Sequence, residues 1–284
     1  MNVFVYGTLM KGCVHHGKLG KSKLLAEQAW VSGDLYHTPN YYPALVHGNE
    51  EVYGELYEVS EETLRVLDEL EEYTGDPERD LYDRVKIKVT TDTGFVEAFT
   101  YILTEKNKKM LLSKVPYQNW KIAGILDDKE ILYFAYGSCM DDDRFKKAGV
   151  DHLFLDCLGR GVLPGYSLKF DFKGTQGYAS DIVEDGGTVE GKVYKVNNEA
   201  LQYLFVREGV NTGHYRPAII SLLLNGKTID NVLTFLVLEK HEEQAPTVVY
   251  ATEILRGGKG TLSEDYWNAL RERIKSQFNI EVNV

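Results

Sequence analysis

The sequence predicts an α+β protein built twice over: two tandem domains, each a mixed, partly barrel-like β-sheet with a few helices. Three observations carry that expectation. Residues 52–71 align without a gap with residues 189–208, sharing Val52/Val189, Gly54/Gly191, Tyr57/Tyr194, Val59/Val196, Glu62/Glu199, Leu64/Leu201, Leu67/Leu204 and Glu71/Glu208. Upstream, Val3-Phe4-Val5-Tyr6-Gly7-Thr8-Leu9-Met10 corresponds to Tyr133-Phe134-Ala135-Tyr136-Gly137-Ser138-Cys139-Met140. Finally, 284 residues suffice for about two domains of ordinary size, and β-prone runs interleave with few helical stretches. A repeat of this length is one supersecondary plan used twice, so the domains are expected at 1–127 and 128–284.

Each element follows from local pattern. Residues 3–6 form an apolar run ending at Gly7, as a buried strand entering a tight loop would. Residues 52–59 alternate apolar with polar or aromatic side chains and read as a half-buried strand. Ser60-Glu61-Glu62-Thr63 then opens a helix that carries Leu64, Leu67 and Leu70 on one face, with Glu71 one residue past that stripe. Residues 84–89 and 96–103 return as strands. The second half repeats the order with strands at 131–136 and 189–196, a helix at 198–206 and strands at 218–224 and 232–238. It adds a C-terminal helix at 263–278, for which the Ser263 hydroxyl is a cap. The join, Ala123-Gly124-Ile125-Leu126-Asp127-Asp128, is short and lacks linker composition, which predicts contact between the two domains of the chain.

Composition removes several function classes. With 43% hydrophobic and 26% charged residues the chain has enough apolar surface for a core. Its net charge of −11 is spread over both halves and opposes attraction to nucleic acid or an anionic membrane. No apolar run approaches the roughly 20 residues of a membrane helix, and the N-terminus does not read as a signal peptide. Cys13, Cys139 and Cys157 are too few and scattered for a disulfide framework or a zinc site. The expected setting is cytoplasmic.

The chemistry-bearing pattern is a strand-end Tyr-Gly-Thr/Ser loop followed by a glutamate at a helix end, present twice. A glycine there lets successive N–H groups face one concavity and bind a carboxylate or a developing oxyanion. An ordinary strand-to-turn junction explains one such loop equally well; two copies weaken that explanation. Glu71 sits in the acidic run Asp68-Glu69-Leu70-Glu71-Glu72, which alone reads as a solvated helix face, whereas Glu208 keeps its acid in apolar company. Desolvation would raise such a carboxyl toward neutral pH. Cys139 lacks a nearby histidine partner and reads as a buried or idle thiol rather than a nucleophile. His15, His16, His37 and His47 lack metal-site spacing and read as loop or surface residues. Gly257-Gly258-Lys259-Gly260 lacks the spacing of a phosphate loop.

Tyr6-Gly7-Thr8-Leu9, Tyr42-Pro43-Ala44 and Leu67-Asp68-Glu69-Leu70-Glu71 with Tyr82-Asp83-Arg84 resemble the γ-glutamylcyclotransferase-like superfamily. The second half is similar through Tyr136-Gly137-Ser138, Leu163-Pro164-Gly165-Tyr166, Glu208-Gly209, Tyr215-Arg216 and the stretch from Tyr250 to Tyr266. The resemblance implies two such domains acting on a small γ-glutamyl compound, releasing 5-oxoproline and an amino acid or amine without cofactor or metal. By carry-over Glu71 and Glu208 are the candidate acid/base residues. Tyr6, Gly7, Thr8 and Leu9, with Tyr42 and Tyr82, are the candidate substrate residues of the first half; Tyr136, Gly137, Ser138 and Cys139, with Tyr215, are those of the second. Three departures raise the question of one degenerate half: Glu72 where glycine usually follows the glutamate, Phe205 where aspartate usually precedes it, and the irregular Ser138-Cys139. A non-catalytic ligand-binding or regulatory module, and an amide hydrolase on the same fold, are the competing readings.

Overall fold

Phe4 and its neighbours Val3 and Val5 are all buried, although successive strand residues point to opposite faces. Strand β1 (Asn2–Val5) is therefore covered on both sides, and the two coverings define the first domain. The computed structural model describes residues 1–175 and 177–284. Its contacts divide the chain into two units, Met1–Gly124 and Ile125–Val284.

In the first unit β1 is followed by β2 (Lys23–His37), β3 (Pro43–Glu58), helix α1 (Glu61–Leu70), β4 (Tyr82–Thr91), β5 (Gly94–Leu103) and α2 (Trp120–Ile125). The strands close a barrel in the order β1-β3-β2-β4-β5. Closure comes from a parallel pairing of β1 with β5 at Val3 and Phe99; the other neighbours are antiparallel. Phe4, Ala29, Val31, Val52, Leu56, Val89 and Ala98, from all five strands, pack together inside. Val3 and Val5, on the other face of β1, pack against Leu64 and Leu67 of α1. Ser60 caps α1 by accepting the Thr63 N–H at 3.0 Å, and its chain ends at Glu71, whose own N–H donates to the Leu67 carbonyl.

The second unit repeats the plan: β6 (Ile131–Ala135), α3 (Asp142–Ala148), β7 (Cys157–Pro164), β8 (Ser167–Gly174), β9 (Gly177–Val183), β10 (Thr188–Val196), α4 (Asn198–Arg207), β11 (Tyr215–Leu224) and β12 (Lys227–Val237), then α5 (Val248–Gly258) and α6 (Glu264–Phe278). Its barrel runs β10-β6-β12-β11-β7, again closed by a parallel pair, β6 with β12. Thus β6, β7, β10, β11 and β12 match β1 to β5, while β8 and β9 form a separate two-stranded sheet. Asn197 caps α4 as Ser60 caps α1, and Glu208 ends α4 as Glu71 ends α1. The repeated glycine also has one cause in both copies. A Cβ at Gly54 would meet the Val5 carbonyl oxygen at 2.2 Å, and one at Gly191 would meet that of Ala135 at 2.3 Å.

The α+β class, the two barrel-like sheets and the helix at the repeat agree with the sequence. Strands β2, β7, β8 and β9, the first part of β3, and helices α2, α3 and α5 were not legible there. In β2 register shifts fall between Leu24 and Ala26, Ala26 and Ala29, and Gly33 and Asp34, so the period-two pattern is broken three times. Among the described residues no helix is long and apolar enough to cross a membrane.

Candidate active site

In the first barrel β1 ends at Val5 and the chain passes Tyr6 and turns through Gly7, Thr8 and Leu9, tightened by the Met10 N–H donating to the Gly7 carbonyl at 3.0 Å. Among the described residues the N–H groups of Gly7, Thr8 and Leu9 meet no protein acceptor. The loop is held from behind. Buried Glu55 accepts from the Lys11 N–H at 2.8 Å and from the Tyr57 hydroxyl at 2.8 Å, and pairs with Lys121 at 2.5 Å. His15 Nδ1 lies 3.1 Å from Thr8 Oγ1, and His16 Nδ1 lies 3.1 Å from the Leu9 carbonyl.

The loop forms one wall of a cavity of about 140 Å³. Every residue expected for the first half lines it: Tyr6, Gly7, Thr8, Leu9, Tyr42, Glu71 and Tyr82. Pro43 presses on the loop, where a Cβ on Gly7 would meet its ring at 2.7 Å. The Tyr6 hydroxyl donates to the Tyr101 carbonyl at 2.7 Å and the Tyr82 hydroxyl to the Pro43 carbonyl at 3.3 Å. Burial pushes both phenols far above their ordinary range, so they are neutral donors at physiological pH. Withdrawal from water also acts on Glu71, whose carboxyl is pushed up to about 7. The cavity therefore combines a proton-exchanging carboxyl with free backbone donors.

A polar support lies beside it. Arg84 Nη1 pairs with Asp68 Oδ2 at 2.5 Å, and the Tyr101 hydroxyl donates to Asp68 Oδ1 at 2.8 Å. Sequence reasoning noted Asp68 and Arg84 as a motif but missed Tyr101 and His15 as cavity residues. For His15 the available signal was its place a few residues after the loop.

The second half assembles the same positions, and Tyr136, Gly137, Ser138, Cys139, Glu208 and Tyr215 share one cavity. The hydrogen bonds repeat: Tyr136 donates to the Phe235 carbonyl, as Tyr6 does to Tyr101, and Tyr215 donates to the Ser180 carbonyl at 2.8 Å, as Tyr82 does to Pro43. Yet this cavity measures only about 30 Å³, room for about one water. Arg207 braces two residues of its wall, donating from Nε to Cys139 Sγ at 3.0 Å and from Nη2 to Ser138 Oγ at 3.1 Å. The Cys139 thiol in turn donates to Glu208 Oε1 at 3.4 Å. Cys139 is thus a buried thiol, as the sequence suggests, and one that takes part in a polar cluster with Arg207 and Glu208. From α5 the Tyr250 hydroxyl adds contacts to Ser180 Oγ at 2.8 Å and to its N–H at 3.1 Å. Helix α5 is fixed over the loop by Arg256 on Asp141 and Arg144 on Glu253. Burial raises the Glu208 carboxyl, while Arg207 and Cys139 pull against that rise.

The polar support is replaced as a set. The repeat and the strand registers put Phe205, Pro217 and Phe235 where the first domain has Asp68, Arg84 and Tyr101. The Phe205 and Phe235 rings meet edge to face with centroids 5.6 Å apart.

Among known proteins, residues 3–122 match the family described as gamma-glutamyl cyclotransferase, AIG2-like, and residues 188–270 match the AIG2-like family. The chain is 39% identical over 279 residues to YkqA of Bacillus subtilis (strain 168), provisionally named a gamma-glutamylcyclotransferase, covering 96% of this chain and 97% of that one. It superposes on the crystal structure of YkqA with a TM-score of 0.87 at 37% identity, over 99% of each chain. The gamma-L-glutamyl-butirosin B gamma-glutamyl cyclotransferase of Niallia circulans is 45% identical over 102 residues, which is 36% of this chain and 65% of that protein.

Proposed function

The chain belongs to the γ-glutamylcyclotransferase family, and from that premise we propose that its first domain converts a small γ-glutamyl amide to 5-oxoproline and a free amine or amino acid. One observation carries the reading: Glu71, with its carboxyl raised to about 7, shares a cavity with the loop N–H groups of Gly7, Thr8 and Leu9. The substrate folds so that its α-amine attacks its own γ-carbonyl carbon. A new carbon–nitrogen bond closes the ring as the bond to the leaving amine breaks. Glu71 accepts the proton given up by the attacking nitrogen and returns one to the departing nitrogen, so no water is consumed. The loop donors take the charge that develops on the carbonyl oxygen, a single such donor being worth about 3–4 kcal/mol. Holding the tethered nucleophile in ring-closing geometry contributes about 7–11 kcal/mol.

In this reading the second domain does not turn over substrate, because its cavity, walled by Cys139 and Tyr250 and braced by Arg207, is too small for an acyl group. Incubation with a panel of γ-glutamyl amino acids and amines, followed by mass spectrometry, tests the proposal. 5-Oxoproline is the expected product. Free glutamate would identify an amide hydrolase instead, and ligand-induced stabilisation without any product would identify a binding module.

A further inference from the structure

The residue after each helix-end glutamate occupies the left-handed region, with φ of 51° at Glu72 and 61° at Gly209. This conformation is free for glycine and strained for a side chain. At Gly209 a Cβ would also meet the His214 ring at 2.5 Å, so a side chain there would have to displace it. The first domain tolerates the strain and places a carboxylate there. Glu72 lines the same cavity as Glu71, and its charge is felt at the Tyr82 hydroxyl, which also lines it. It makes no ion pair among the described residues. No lysine or arginine lines the cavity, where His15 is the one basic side chain among the described residues.

We propose that Glu72 is a specificity-determining residue that selects γ-glutamyl amides whose leaving amine carries a second, positively charged nitrogen. The assignment rests on the cyclotransferase reading above. Glu71, half-buried, exchanges the proton, and Glu72, the exposed residue next to it, meets the part of the substrate that departs. An ammonium group on that part finds a carboxylate without a competing partner. A carboxylate on that part, as in a γ-glutamyl α-amino acid, meets Glu72 as a like charge with no cation lining the cavity to offset it.

The test compares kcat/KM for three γ-glutamyl amides, of 1,4-diaminobutane, of butylamine and of glycine, in the wild-type chain, Glu72→Gln and Glu72→Gly. The wild-type chain is expected to prefer the diamine derivative over the butylamine derivative by about five- to tenfold, carried by KM and shrinking with added salt. Both variants are expected to lose that preference. An unchanged diamine-to-butylamine ratio in both variants overturns the assignment and leaves the cyclotransferase reading standing. If the wild-type chain forms no 5-oxoproline from any of the three, the cyclotransferase reading falls and the assignment falls with it.

Discussion

Arg207 Nε stands 3.0 Å from the sulfur of Cys139, a contact without counterpart in the first pocket. The repeat places Leu70 and Leu9 at the same positions in the first domain. Both line the 140 Å³ cavity without bridging it. These two changes accompany the smaller cavity of the second domain, together with the Tyr250 hydroxyl that α5 adds to it.

The two glutamates are therefore expected to respond differently to the same substitution. Glu71→Gln should lower turnover by about 10²–10⁴-fold, the usual contribution of a positioned acid/base group. Glu208→Gln should leave it within about twofold. Release of 5-oxoproline by each purified variant checks both, and equal losses would reassign catalysis to the two domains together.

The pH dependence follows from the direction of the Glu71 shift. Its carboxyl titrates at about 7, and the ionised form accepts the proton of the attacking amine. The rate kcat/KM is expected to rise with pH through a midpoint near 7 rather than near the ordinary carboxylate value of about 4.3. A steady-state profile from pH 5 to 9 measures this limb; a flat profile over that range would remove Glu71 as the base.

Stability carries the opposite sign. A glutamate whose folded-state value is raised binds its proton more tightly when folded, so its contribution is most favourable below the unfolded value of 4.5 and is lost as pH rises through about 7. Glu71→Gln is expected to stabilise the first domain above pH 7 by about 1–3 kcal/mol and to have little effect below pH 4.5. Paired thermal melts at pH 8 and pH 4.2 give the comparison.

Asp68 accepts from both Arg84 and Tyr101, so removing it leaves two donors without their partner. Asp68→Asn is expected to destabilise the first domain by about 1–3 kcal/mol. In a double-mutant cycle with Arg84→Gln the pair should couple by more than about 0.5 kcal/mol. Urea unfolding of the four proteins measures it. The corresponding positions of the second domain, Phe205 and Pro217, carry no charge, and so offer an internal comparison.

The parts of the fold that could be read from sequence are those where local pattern and tertiary role agree. Leu64, Leu67 and Leu70 fall on one helix face, and Ser60 caps that helix with its own hydroxyl, so nothing distant was needed to place Glu71. Strand β2 was hidden because its bulges break the alternation, and α5 because Tyr250 gains its meaning only against Ser180, far away in the chain. The same limit applied to the site. Every candidate residue carried by the repeated motifs reached its cavity. The size of each cavity, however, depends on contacts between distant residues: the Arg207–Cys139 contact is not a motif, and Tyr250, which opens a stretch the sequence singled out, was not assigned to the site.

The seal of each barrel has a further consequence for how the chain is made. Val3 pairs with Phe99 and Leu132 with Val232, so closure joins strands near the beginning and end of each domain. A growing chain that carries one plan twice contains, in β6, a rival for the place of β1. Translation resolves the competition by order of emergence, because β5 leaves the ribosome before β6 does and the first barrel can shut while β6 is still enclosed.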